Sequence, residues 1–212
     1  MTQRVPLSLP EVIEPSRTAL AVWDMQHGLG GHAYNLDELL PRIRNLVDRA
    51  QAAGVFVFWT RHVLPVTADL PASVVRDMMR RQKVERPEDL KPFMQAGTTE
   101  TEFIAATAPA AGDVVVQKST RSLFVGTDAE AMLRDRQIQT LILSGVSTDQ
   151  GVEVTARHAF ALGYFAVVVE DAVSSRTERA HELGLEFLRS AQTDVVPMSA
   201  VLEAWASSRR PV

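Results

Sequence analysis

The chain has 212 residues, 46% of them hydrophobic and 23% charged, with a net charge of −4, a balance that favours one globular domain over a disordered or membrane class. The densest basic run, Arg80-Arg81-Gln82-Lys83, is followed at once by Glu85, Glu88 and Asp89, which argues against nucleic acid as a partner. Cysteine is absent altogether, so disulfides, thiolate metal sites and thiol nucleophiles are excluded.

Met1 to Glu14 lacks a basic segment followed by an apolar core, and no apolar stretch reaches the roughly 18 residues that cross a bilayer; the expectation is a cytoplasmic protein. The first strand is read at Thr18-Ala-Leu-Ala-Val-Trp23, a short apolar run that stops at Asp24. From Leu36 to Ala53, apolar residues recur at helical spacing and Gly54 supplies a stop signal. Further strands are expected at 55–59, 113–117, 140–144, 165–169 and 194–197, with helices at 128–136, 150–162 and 179–191. Strands alternating with helices predict crossover units: an α/β fold, with a six-stranded, mainly parallel sheet between helical layers. The segment 64–107 carries Pro65, Pro71, Pro87 and Pro92 and is expected to be an irregular, lid-like stretch over the pocket.

In open parallel sheets, ligands bind outside the carboxyl ends of the strands. The residues expected there are Asp24 and Gln26 after the first strand, Arg61 and His62 after the second and Lys118 after the third. The fourth supplies Gly145-Val-Ser-Thr-Asp-Gln-Gly151, and the fifth Glu170 and Asp171. A carboxylate and an ammonium from different strand ends can meet in one cleft, and a glycine-bearing loop entering a helix offers N–H groups to an oxyanion. These are the parts of a hydrolytic site, which place it without naming the reaction.

The ordered set Ala21-Val-Trp-Asp24-Met-Gln26, Gly112-Asp-Val-Val-Val-Gln-Lys118 with Ser122-Leu-Phe124, and Leu143 to Arg157 resembles the isochorismatase-like hydrolases, also called the cysteine hydrolase superfamily. The likeness runs from about Thr18 to Val196 and implies a three-layer Rossmann-like sandwich. Most members of that family use an aspartate, a lysine and a cysteine to cleave amide-type bonds. By resemblance, Asp24 matches the aspartate, Lys118 the lysine, and the Ser147–Thr148 bond a characteristic cis peptide. Gly151 stands where the cysteine would be. Glycine cannot form a covalent acyl intermediate, and the sequence in this respect resembles the isochorismatase branch, which hydrolyses a vinyl ether without one.

The resemblance implies that Asp24 acts as general acid on an enol-ether double bond, that Lys118 orients Asp24 or holds a substrate carboxylate, and that the space vacated at Gly151 admits substrate and water. Substrate contacts are expected from Gln26, Arg61, His62, Arg121, Phe124, Ser147 and Thr148. Thr120-Arg121 departs from the Arg-Tyr pair usual in isochorismatases, so isochorismate itself is not implied. Two other readings stay open: Asp24 activating water against a C–N or ester bond, and a silent relative that binds a metabolite. The paired ligand pattern of zinc-dependent relatives is absent after His62, since Asp69 is followed by Leu70 and Pro71; no metal or cofactor is expected. A small-molecule substrate and a homodimer or larger homo-oligomer complete the expectations.

Overall fold

A computed structural model of the chain describes residues 5–207; the first residues of the stretch inspected for a leader lie outside that range. Strands β1 (Thr18–Trp23), β2 (Phe56–His62), β3 (Val114–Lys118), β4 (Thr140–Val146), β5 (Phe165–Ser174) and β6 (Asp194–Val196) form one sheet in the order β3-β2-β1-β4-β5-β6. Every pairing is parallel. The apolar runs of β1 and β4 are buried along their whole length, as expected of central strands covered on both faces.

Alternation along the strands divides the core in two. Leu20, Val22, Trp59 and Ile142 face helices α2 (Leu36–Ala53) and α7 (Met198–Ser207). Trp23, Phe58, Leu141 and Leu143 face α4 (Ala129–Asp135), α5 (Glu153–Ala161) and α6 (Glu178–Ser190). In α2, the spacing of Leu39, Ile43, Leu46, Val47 and Ala50 puts all five on the buried stripe. Each larger aliphatic side chain so buried contributes about 1.5–3 kcal/mol. Gly54 ends α2 in the left-handed region at φ 84°, as a helix C-cap requires.

The differences from the expected elements are local. β2 and β5 run further than their apolar cores, so Arg61 and His62 belong to β2, and Glu170 and Asp171 lie inside β5 rather than beyond its end. Glu170 pairs with Arg189, and Asp171 accepts from the Met198 N–H at 2.8 Å; both are occupied in packing α6 and α7. A short α1 (Leu9–Val12) and α7 were not anticipated.

The segment 64–107 is more ordered than its prolines suggest. It contains an 11-residue helix, α3 (Ala72–Gln82), which begins after Pro71 and packs Met78 with Leu64 and Met94. Its far end is tied to the loop after β1: His27 N–H donates to Glu102 O, Gly28 N–H to Glu100 O and Ile104 N–H to Met25 O, each at 2.9 Å. Among the described residues no helix is long and apolar enough to cross a membrane.

Chain order reverses on either side of β1, between β2 and β4, and this switch point positions the site. Gly145, opposite Trp23 in the β1–β4 register, has φ 100°, and a Cβ there would lie 2.2 Å from the Trp23 carbonyl oxygen. Only glycine lets the two strand ends run past each other.

Candidate active site

Asp24 leaves β1 with φ 47°. Its own N–H donates to the Thr60 hydroxyl oxygen at 3.0 Å, and the same hydroxyl donates to Asp24 Oδ1 at 2.6 Å. Thr60 lies two residues before the end of β2, so it shares the His62 face of the strand. From the end of β3, Lys118 Nζ donates to Asp24 Oδ2 at 2.6 Å, with the side chains 1% and 6% exposed respectively. Both carboxylate oxygens therefore accept hydrogen bonds.

Lys118 Nζ also lies 3.3 Å from the Thr120 carbonyl oxygen and 3.4 Å from His62 Nδ1. Burial, reinforced by the Lys118 charge, lowers the His62 pKa to about 4, so at neutral pH the ring is uncharged and Nδ1 can accept from the ammonium. Burial likewise lowers the Lys118 pKa, opposed by the adjoining Asp24 carboxylate. The Trp23 ring completes the enclosure, its centroid 4.5 Å from Nζ. Ions this deep cost several kcal/mol to desolvate unless further groups satisfy them; Thr60, Thr120 and His62 do so.

The β4 end turns through Ser147 into a π-type turn, Thr148–Val152, that continues as α5. Ser147 O accepts from the Gln150 and Val152 N–H groups at 3.1 and 3.2 Å. Thr148 is buried, with Oγ1 2.9 Å from His181 Nδ1, and Asp149 Oδ1 accepts from the Ser175 hydroxyl at 2.7 Å. Helix α6 comes so close that a Cβ on Gly184 would sit 2.8 Å from Asp149 N. The cis bond is Val146–Ser147, one position before the bond inferred from resemblance; no residue type in Val146-Ser147-Thr148 marks which bond is cis.

The vacancy expected at Gly151 is filled. A Cβ on Gly151 would lie 2.4 Å from Trp23 Nε1, 2.9 Å from Cε2 and 3.1 Å from Cζ2. The edge of the indole takes the place of a side chain at 151.

Lys118 thus meets Asp24, His62 and the Trp23 ring, and the edge of that ring reaches Gly151. The remaining candidates are arranged differently. Gln26 is fully buried, and its amide is taken by backbone: Nε2 donates to His62 O and Thr101 O at 3.0 and 2.9 Å, while Oε1 accepts from His62 N at 2.7 Å. It pins β2 to the segment 99–101 instead of facing a ligand. Arg61 points to the opposite side of the pleat from Thr60 and His62, with its guanidinium 4.7 Å from the Phe103 centroid. Phe124 stacks on Tyr164 at 6.0 Å and meets His158 edge-on at 5.2 Å, in an aromatic cluster. Arg121 reaches Gln150 Oε1 at 2.8 Å and Asp77 of α3 at 3.2 Å, so it joins the segment 64–107 to the turn beside Gly151.

Thr60 escaped the sequence reading because it lies within an apolar strand. Its position two residues before His62 was the available signal. Gly184 escaped because glycine within a helix declares no partner.

The family model described as an isochorismatase domain matches residues 18–200. An uncharacterized isochorismatase family protein of Escherichia coli O157:H7 is 31% identical over 88% of this chain and 95% of its own length. A ureidoacrylate amidohydrolase of Pantoea ananatis is 30% identical over 89% of this chain and 80% of its own. The crystal structure of an isochorismatase family protein from Desulfovibrio vulgaris, 29% identical, superimposes with a TM-score of 0.75 over 90% of this chain and 98% of the other. The extent of the match, the six-stranded parallel sheet and the paired Asp24 and Lys118 at its switch point lead to one assignment: the chain belongs to the isochorismatase family of hydrolases.

Proposed function

We propose that the protein hydrolyses a vinyl ether, or a similarly activated bond, in a small anionic metabolite by proton transfer from the Asp24–Lys118 pair, without a covalent intermediate. The observation that carries this reading is the desolvated 2.6 Å contact between Lys118 Nζ and Asp24 Oδ2 beside a position, Gly151, that bears no side chain. The site has a means of moving a proton and no nucleophile where a cysteine would stand.

Lys118, whose hold on its proton is weakened by burial, passes a proton to Asp24. Asp24 delivers it to the terminal carbon of the double bond, giving an oxocarbenium ion and regenerating the carboxylate. Water adds to the cationic carbon and yields its surplus proton to the neutral Lys118 amine. The resulting hemiketal collapses to a ketone and an alcohol. Thr60 holds Asp24 Oδ1 throughout, which leaves Oδ2 as the transferring atom.

A second reading has Asp24 accept a proton from water that attacks a C–N or ester bond. The acceptor geometry of both Asp24 oxygens and the similarity to a ureidoacrylate amidohydrolase favour it. Hydrolysis of 2-methoxyacrylate in D2O separates the two. The first reading expects turnover with one solvent deuterium in the methyl group of the nascent pyruvate, read early by NMR. Turnover of ureidoacrylate with 2-methoxyacrylate untouched would replace it with the second.

A further inference from the structure

We propose that Trp23 stands in for the side chain that residue 151 lacks: its indole edge occupies that space, and its N–H is the hydrogen-bond donor that meets a substrate oxygen beside Asp24 and Lys118. The inference rests on the reading of this site as hydrolytic and adds to it a substrate-contacting residue.

The three tryptophans provide an internal comparison. Trp59 Nε1 donates to Thr107 O at 2.9 Å, and Trp205 Nε1 donates to Ile13 O at 3.1 Å. Both bind segments of chain together, as buried indoles ordinarily do. Trp23 is completely buried, and its Nε1 has no hydrogen-bond partner among the described residues. An unmet buried donor is destabilising, so it calls for a partner that the free chain does not supply.

Position says what that partner is. The indole face lies 4.5 Å from the Lys118 ammonium, and the Nε1 edge abuts the backbone of Gly151. Trp23 is also the residue directly before Asp24. A donor held between a proton-transfer pair and a helix-entry turn suits an oxygen of the reacting group or of an adjoining carboxylate. A substrate oxygen bonded there would be fixed relative to Oδ2 of Asp24, and the same indole explains why residue 151 carries no side chain.

Two measurements test the proposal without depending on turnover. In protein labelled with 15N at the indole nitrogens, the resonance absent from Trp23→Phe identifies Trp23. It is expected to move downfield on titration of the wild-type protein with pyruvate or nicotinamide, a carboxylate and an amide probe. Gly151→Ala is expected to lower the Tm by several degrees in the wild-type background and by much less in Trp23→Leu, where the edge of the indole is gone. In the kinetic assay, Trp23→Phe removes the N–H together with the outer edge of the indole and is expected to lower kcat/KM about tenfold, the order of one hydrogen bond to a bound oxygen, with a loss of Tm from the space it leaves.

An unmoved Trp23 resonance with both probes, or unchanged kcat/KM in Trp23→Phe, would overturn the donor role. Equal Tm losses for Gly151→Ala in both backgrounds would overturn the exchange of space. Failure of the wild-type protein to act on 2-methoxyacrylate counts against the vinyl-ether reading, and the resonance and Tm outcomes still decide this one.

Discussion

Two ion pairs in this molecule use the same elementary interaction to opposite ends. Asp24–Lys118 joins the ends of β1 and β3 across β2, with side chains 6% and 1% exposed. Asp77–Arg121 joins α3 to the loop after β3, with side chains 42% and 52% exposed. Their N–O distances, 2.6 and 3.2 Å, differ far less than their surroundings. In the first, water is excluded and every neighbour is fixed, so loss of either charge leaves the other stranded. In the second, solvent and salt screen both charges, and either can find water instead. Burial thus makes the first pair interdependent and leaves the second as a fastening.

The sharpest way to break that comparison is to remove Lys118. Lys118→Met leaves the Asp24 carboxylate buried without its cation and should cost about 3–5 kcal/mol of stability. Asp24→Asn, which leaves the ammonium unpaired, should cost a similar amount. The double variant should lose clearly less than the sum of the two, because neither charge then remains. Urea denaturation of the four proteins measures the coupling. Additive losses would mean that the two groups do not depend on each other, and the site would have to be redrawn.

His62 supplies a smaller effect with a defined sign. Its pKa is lowered from 6.5 to about 4 in the folded protein, by burial first and by the Lys118 charge second. Between those values the unfolded chain binds a proton that the folded chain refuses, so stability rises with pH across the window and falls as pH drops through it. Above about 6.5 both states are neutral at this group, and its contribution to the slope vanishes. His62→Gln should flatten that part of the stability curve relative to the wild-type protein. Denaturation midpoints collected from pH 4 to 7.5 check this, and parallel curves for the two proteins would contradict it.

How much of this was legible in the chain follows the same division between dry and wet regions. β1 and α2 are delimited by the sequence because burial imposes an uninterrupted apolar run on one and a 3.6-residue period on the other. Asp24 and Lys118 were legible because a strand-end charge in a parallel sheet has few places to go. The role of Trp23 was not legible. Nothing local shows that its indole will cross to a residue 128 positions later, and only a Cβ placed on Gly151 reveals the collision. The placement of Arg61 was hidden for a different reason: once β2 continues past Trp59, strand alternation turns its side chain away from Thr60 and His62. α3 was hidden because only Met78 of its apolar residues is buried and four prolines surround it in the segment.

The smallest effect belongs to the exposed pair and tests the other half of the comparison. Arg121→Ala removes the contacts to Asp77 and Gln150 and should change global stability by no more than about 0.2–1 kcal/mol, as expected of a screened surface pair. Its consequence should instead be local. Asp77 and Arg121 connect α3 to the turn that precedes α5, so losing the contact frees one attachment of α3 while the backbone bonds at 100–104 still hold the far end. Hydrogen exchange within residues 72–82 should therefore quicken several-fold in Arg121→Ala, and in the wild-type protein on raising the salt concentration to about 1 M, where charges are screened within roughly 3 Å. Exchange near Asp24 and Lys118 should respond to neither change. If salt loosened both regions equally, the contrast between a buried pair sealed from solvent and an exposed pair that fastens a helix would not hold.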